Sequence, residues 1–389
     1  MIKIEQMNKN FKNIFHRDSE HVYFSPGRIN LIGEHIDYNG GYVFPCAINL
    51  GIYASVASRN DKIFQFYSEK YSNNGIISIN LDDLSYNSEH YWANYVIGVI
   101  KILIDNGYKI DHGLDLFIDS DLPDGAGLSS SASIELLMET ILNDIFSLSI
   151  SKIDMARFGQ IMENKYIGVN CGIMDQFAIS MGKKNNAVLL NSNTLDYEYV
   201  PINLDNFSIV IINTNKKREL INSKYNERCK ECSQSLKLFQ KKLNISKLCD
   251  LNCNQFELFD YLLNNNNLIK RSRHVIFENQ RVLYAKKALD NNDLITFGHL
   301  LNSSHISLRY DYEVTGIELD TIVDSSWSQN GVIGARMCGA GFGGCAIAIV
   351  DHNKINNFCN NVGKKYLETI GYNASFYIVD ISDGPKCLK

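Results

Sequence analysis

The stretch Leu122–Ser133, LPDGAGLSSSAS, decides how this chain reads. Gly125 and Gly127 open backbone conformations that residues with a Cβ avoid. Ser129, Ser130 and Ser131 follow, and then apolar residues recur at helical spacing: Ile134, Leu137, Met138, Ile141, Leu142 and Ile145. A glycine-rich loop running into a helix start offers unpaired N–H groups and the positive end of a helix dipole. Together these suit an anion, phosphate above all. No Gly-Lys-Ser/Thr closes the loop, so it is not a Walker A motif. The competing reading is an ordinary serine-capped helix after a glycine turn. The stretch by itself leaves both open.

The rest of the composition narrows the class. The chain has 389 residues, 45% hydrophobic and 21% charged, which describes a globular protein with ample core material and room for two domains. A net charge of −5 gives no electrostatic reason to expect nucleic acid or an anionic membrane as partner. An anionic substrate would need locally placed positive groups or a metal ion. No apolar run is long enough to span a bilayer and MIKIEQMNKN begins no signal peptide, so the cytoplasm is the expected compartment. The ten cysteines are scattered, as expected of reduced thiols. Cys229 and Cys232 have CxxC spacing, but Cys249 and Cys253 do not repeat it, which argues against zinc. The asparagine run at 264–267 reads as a surface loop.

Strand-like runs and turn signals alternate from His21 to Ser68, with turns at Pro26-Gly27 and Asn39-Gly40-Gly41. A helix is predicted from Trp92 to Leu103, and LDLFIDSDLP reads as a strand feeding the glycine loop. The text turns polar near residue 200, and FSIVIINTN opens a fresh strand, giving segments 1–200 and 201–389. The second segment is helix-rich to Leu308. It then supplies two strands about a glycine turn, a helix with Ile355, Phe358, Val362, Tyr366 and Ile370 on one face, and a last strand, an α+β layer.

Three clusters carry candidate chemistry. Between Ser25 and Pro45, Arg28, Glu34, His35 and Asp37 share one turn-rich stretch that could offer donors and acceptors to a polyhydroxylated ligand. In ENKYIGVNCGIMDQF, Asp175 follows a Gly-Ile-Met turn beside apolar residues, placed either to accept a proton from a substrate hydroxyl or to cap a helix. Glu163 lies too far back to share its helical turn. With a serine of the glycine loop, it would make half of a Mg²⁺ site. In MCGAGFGGCAIAIV the glycines run into a strand, not a helix, so the Rossmann fingerprint fails and a tight glycine corner fits better.

Taken together, these stretches resemble a known family. GRINLIGEHIDYNGGYVFPCAI resembles the sugar signature of galactokinases, and LPDGAGLSSSAS the phosphate-binding motif of the wider superfamily of galactokinase, homoserine, mevalonate and phosphomevalonate kinases. MCGAGFGGCAIAIV resembles that superfamily's third motif. CGIMDQF, RHVIFENQRV and SSHISLRYDYEVTGIELD extend the similarity from Phe24 to beyond Val350. The resemblance implies an α+β fold of two domains: an N-terminal mixed α/β domain and a C-terminal ferredoxin-like domain, with the active site between them. It implies ATP-dependent phosphorylation of the anomeric hydroxyl of α-D-galactose to galactose 1-phosphate, the first step of galactose catabolism.

By the same resemblance the ATP phosphates would lie along Gly125, Ala126, Gly127, Leu128, Ser129, Ser130 and Ser131, with Trp92 and Tyr95 on the adenine side. Ser131 and Glu163 would hold Mg²⁺. Glu34, His35, Asp37, Gly172 and Tyr225 would meet the sugar, together with Arg28 and Asp175. Asp175 would act as base or aligner, with Arg28 beside it offsetting charge on the transferring phosphoryl group. A monomer is expected, with a weak dimer as the alternative. Two departures from the third motif stand out: Cys338 and Ala340 replace the usual Thr and Gly, and Ala340 would be strained at positive φ. The rivals are N-acetylgalactosamine kinase, against which Ile173 and Phe177 are read as favouring galactose, and a non-enzymatic sugar sensor, against which the intact serine run argues.

Overall fold

A computed structural model of the protein describes residues 4–123, 125–169, 171–216 and 221–389; Asp124 of the phosphate loop and Asn170 of the segment before Asp175 lie outside the described residues. The first half is built on strands whose side chains alternate between two faces. The helix α1 (Ile4–Phe15) precedes β1 (His21–Asn30), β2 (Tyr42–Val43), β3 (Pro45–Ser58), β4 (Ile63–Ser68) and β5 (Ile77–Asn80). The helix α2 (Ala93–Asp105) leads to β6 (Leu114–Ser120). Then come α3 (Ser130–Ile145), α4 (Lys152–Met162), α5 (Met174–Ser180), β7 (Asn186–Asn191) and β8 (Tyr197–Pro201).

Phe24, Tyr53 and Phe117 point to one side of the sheet, where Met7 and Phe11 of α1 cover them. Their neighbours Tyr23, Ala54 and Leu116 point into the main core, and α3 and α5 pack against β1 and β3. Hydrophobic burial at this face, worth on the order of 2 kcal/mol for each large side chain, holds the layer together.

The second half begins with β9 (Phe207–Asn213), passes through α6 (Ile221–Phe239), α7 (Cys253–Phe259), α8 (Asn266–Asp290), α9 (Leu294–Ser307) and α10 (Gly316–Trp327), and continues with β10 (Val332–Cys338), β11 (Cys345–Asp351), α11 (Ile355–Ile370) and β12 (Ser375–Val379). These four strands form an antiparallel sheet in the order β10-β11-β9-β12. Numbered within the unit that order is 2-3-1-4, with a helical crossover on either side of the central hairpin, which is the ferredoxin-like arrangement.

The chain passes from one sheet system to the other between β8 and β9. Its tail then returns: β13 (Lys386–Cys387) pairs with β1 and completes a six-stranded sheet ordered β13-β1-β3-β6-β4-β5. Residues 386–387 therefore join the first sheet, although they fall in the second segment of the sequence. A two-residue strand carries no periodicity that could have shown this. The asparagine run is also corrected, because it starts a helix. Asn265 caps α8, its side chain accepting from the N–H groups of Asn267 and Leu268.

Candidate active site

The sheet edge turns into a site at Arg28. The pairing of β1 with β3 slips in register between Pro26 and Arg28. Proline lacks an N–H for the ladder, and the bulge re-aims the residue after it. Arg28 is buried, and its N–H donates to the Leu128 carbonyl (3.2 Å). Its guanidinium spans two stretches distant in sequence. Nε donates to Asp175 Oδ1 at 2.8 Å, with Nη2 at 2.8 Å from the same oxygen, and Nη1 donates to the Gly127 carbonyl at 2.8 Å.

The glycine-serine loop before α3 takes up positive φ at Gly125 (63°), Gly127 (76°) and also Ser129 (59°). For a serine this is a left-handed strain position. Ser129 occupies the cap position of α3 but caps nothing. Its hydroxyl donates to Asp175 Oδ2 at 2.5 Å. The first N–H groups of a sixteen-residue helix are thus left without a side-chain cap, and the capped-helix reading falls. Asp175, in the first turn of α5, likewise spends its carboxylate on Arg28 and Ser129.

A cavity of about 350 Å³ opens in front of these groups. Arg28, Glu34, His35, Asp37, Gly172, Asp175 and Tyr225 all line it, and so does Ala340 of the third glycine loop. The buried Glu34 accepts from the Gly339 N–H (2.8 Å) and from Asn30 Nδ2 (3.0 Å), with Arg336 Nη1 at 3.4 Å. Asp37 is pushed up to about 6, chiefly by burial and then by the carboxylates of Asp175 and Glu34, against the opposing Tyr38 N–H. A Cβ at Gly172 would collide with Asp37 Oδ2, so glycine here lets the Asp37 carboxylate keep its place against this loop.

His35, at φ 63°, has both ring nitrogens engaged inside the protein: Nδ1 lies 3.0 Å from the Tyr38 hydroxyl and Nε2 3.1 Å from the Ala340 carbonyl. Burial drives its pKa down to about 3, so the ring is neutral at physiological pH.

A second, smaller cavity of about 160 Å³ lies at the start of α3. It brings Trp92 and Tyr95 together with Ser130 and Ser131, as expected, and adds Lys70, Tyr71 and Pro123. Glu163 is buried at the end of α4 in a short π-helical turn. It abuts Glu135, whose pKa burial raises well above the ordinary carboxylate range, with Glu163 adding to the effect. Glu135 lies one helical turn after Ser131 on α3, on the same face of that helix. The oxygens of Ser131 and Glu163 are of the kind that fit Mg²⁺, which takes one or two carboxylate or hydroxyl ligands and fills its other positions with water and phosphate.

Two expectations change. Ile173 and Phe177 do not line the cavity; they are core residues, with Phe177 packed at 5.5 Å from the Tyr197 ring, while Cys171, Gly172 and Met174 form that wall. On α5, positions four apart share a face, and that face points inward. Ala340 is not at positive φ; the left-handed positions are Gly339, Gly341, Phe342, Gly343 and Gly344. Cys338 is buried, its sulfur accepting from the Asn30 N–H at 3.3 Å. The sequence reading missed Tyr38, Asn226 and Cys171 on the cavity wall, and Arg336 behind it. Arg336 is fully buried and donates to the carbonyls of Asn30 and Leu31, both at 3.0 Å.

With this geometry in view, comparison with known proteins is informative. Family profiles for the GHMP kinases N terminal domain and the GHMP kinases C terminal match residues 94–183 and 285–368. A crystal structure of mevalonate kinase superposes with a TM-score of 0.67 at 19% identity, over 94% of this chain and 100% of that one, which speaks to fold alone. Fold and phosphate loop together define a GHMP kinase.

The galactokinase galactose-binding signature matches residues 9–58. Galactokinase of Clostridium perfringens is 56% identical over 387 residues, all of both chains, and that of Lactiplantibacillus plantarum 54% identical over 98% of this chain and 99% of its own. The structure of Lactococcus lactis galactokinase complexed with galactose superposes with a TM-score of 0.96 at 47% identity, covering 98% of this chain and 99% of that chain. The chain belongs to the galactokinase family.

Proposed function

We propose that the protein transfers the γ-phosphoryl group of ATP to the anomeric hydroxyl of α-D-galactose, giving α-D-galactose 1-phosphate and ADP. The observation that carries this reading is the convergence on Asp175. Arg28 and the phosphate-loop residue Ser129 both bond its carboxylate, and the sugar-signature cavity opens directly in front of it. In this reading the cavity holds the sugar, with Glu34, Asp37, Gly172 and Tyr225 around its hydroxyls and His35 shaping the wall. The loop from Gly125 to Ser131 holds the phosphates, and Trp92 and Tyr95 flank the base.

Asp175 receives or aligns the proton of the attacking hydroxyl. Phosphoryl transfer through a loose transition state needs positioning and charge stabilisation more than a strong base. The uncapped N–H groups of α3 face the charge that develops on the phosphoryl oxygens, and Arg28 sits between the nucleophile's partner and the loop. Ser131 and Glu163 would hold Mg²⁺, which when bound would supply further neutralisation of the phosphate charge.

We further place the enzyme in the cytoplasm as a monomer, with a weak dimer as the alternative that light scattering would reveal. No helix among the described residues is long and apolar enough to cross a membrane. Proton and phosphorus NMR of the reaction mixture test the assignment: a new phosphate ester on C1 in the α configuration supports it, and a phosphate on any other carbon overturns it.

A further inference from the structure

The CxxC pair on α6 takes no part in phosphoryl transfer, yet one of its thiols is linked through Tyr312 to Tyr38 on the wall of the sugar cavity. Cys232 Sγ lies 3.2 Å from the Tyr312 hydroxyl, which lies 2.7 Å from the Tyr38 hydroxyl. That hydroxyl is 3.0 Å from His35 Nδ1, and His35 Nε2 is 3.1 Å from the Ala340 carbonyl. Cys232, Tyr312 and His35 are all buried. Taken singly, each contact between side chains could run in either direction.

The last contact fixes them all. A carbonyl oxygen only accepts, so Nε2 carries the proton. The ring is neutral, because burial holds its pKa far below physiological pH, and Nδ1 is therefore a bare acceptor. Tyr38 must then donate to it, Tyr312 must donate to Tyr38, and the Cys232 S–H must donate to Tyr312.

We propose that Cys232 and Tyr312 are positioning residues for the sugar site: they start a one-way hydrogen-bond chain through Tyr38 that holds His35 in its Nε2-protonated tautomer against the third glycine loop. The chain joins α6 and the segment ending at Tyr312, both from the second half, to the sugar-signature loop. Ring contacts reinforce it, with the His35–Tyr312 centroids 4.9 Å apart and His274–Tyr312 4.5 Å. A sugar oxygen that displaced the Ala340 carbonyl would meet a donor, never an acceptor. The role rests on the reading of this cavity as the galactose site.

Two measurements on the full chain test it. The first is ¹⁵N NMR of the ligand-free protein labelled at the histidine ring nitrogens, with His35 assigned by loss of its signals in His35→Asn. It should show a neutral ring protonated at Nε2, and an Nδ1-protonated or charged ring at neutral pH overturns the chain. The second is steady-state kinetics. Cys232→Ala and Tyr312→Phe should raise KM for galactose about three- to tenfold, the scale of one lost buried hydrogen bond. KM for ATP should stay within about twofold, since these groups lie away from the phosphate loop. Cys232→Ser restores an O–H donor and should recover most of the loss. A folded Cys232→Ala enzyme with unchanged KM for galactose, or a Cys232→Ser enzyme as impaired as the alanine variant, overturns the positioning role. Absence of galactose turnover in the wild type would overturn the sugar-site reading instead, and the tautomer would still be read from the spectrum.

Discussion

Replacing Asp37 with asparagine should make the protein more stable at neutral pH while weakening it as an enzyme. Asp37 carries a pKa of about 6, against an ordinary value of 3.8, because burial and the neighbouring carboxylates of Asp175 and Glu34 disfavour its charge. The folded state thus binds this proton more tightly than the unfolded chain does. Its contribution to stability is fully present below about pH 4 and is lost as pH rises through about 6. A shift of two units corresponds to about 3 kcal/mol. Asp37 keeps some contact with solvent in the cavity, which reduces the figure to about 1–2 kcal/mol.

For a chain of 389 residues unfolding as one unit, that stabilisation is a rise in Tm of about 2 °C. Thermal unfolding of wild type and Asp37→Asn should therefore coincide near pH 4 and diverge to about 2 °C above pH 7, the variant being the more stable. Over the same window the wild-type kcat/KM for galactose should fall as pH drops below about 6, because the protonated carboxyl has lost its charge, turns one oxygen into a donor and accepts more weakly from sugar hydroxyls. A Tm difference that does not change with pH would refute the argument that burial of this charge, rather than local packing, sets the balance.

Other perturbations separate the parts of the site. Asp175→Ala should lower kcat by at least about a hundredfold while leaving ATP binding intact, measured by calorimetry with a non-hydrolysable ATP analogue. Ser129→Ala removes the 2.5 Å hydrogen bond to Asp175 and should cost about three- to tenfold in kcat, read in single-turnover experiments. Gly172→Ala should raise KM for galactose at least about tenfold, because the new Cβ displaces the Asp37 carboxylate; a KM near wild type would show that the loop yields freely. Ser131→Ala should shift the Mg²⁺ titration of activity to higher concentration, and an unchanged curve would move that ligand to Ser130.

Much of this architecture is written locally in the sequence. The loop-to-helix step at Ser129–Ser130, the glycine corner at 339–344 and the 3.6-residue face of the helix from Ile355 are set by residues close together in the chain. The pairing of Arg28 with Asp175 was expected from family resemblance, and the structure places the two in contact.

What stayed hidden depends on how distant segments cross. Nothing near Cys232 or Tyr312 announces that α6 and the turn before α10 meet behind His35. Ile173 and Phe177 read as favouring galactose by contrast with the matching motif of N-acetylgalactosamine kinase, but at this helix start they face the core while Asp175 faces the cavity. A serine cap is the local alternative at the start of α3, and the approach of α5 gives the Ser129 hydroxyl a partner in Asp175 instead.

The central claim is tested most directly by ADP release with Mg²⁺-ATP against galactose, N-acetylgalactosamine, glucose, arabinose and no sugar. Turnover that depends on galactose, with little from the other sugars, is the predicted result. Preference for N-acetylgalactosamine would contradict the substrate assignment. Binding of galactose and ATP without turnover of any sugar would contradict catalysis itself and leave a sugar sensor built on a kinase fold.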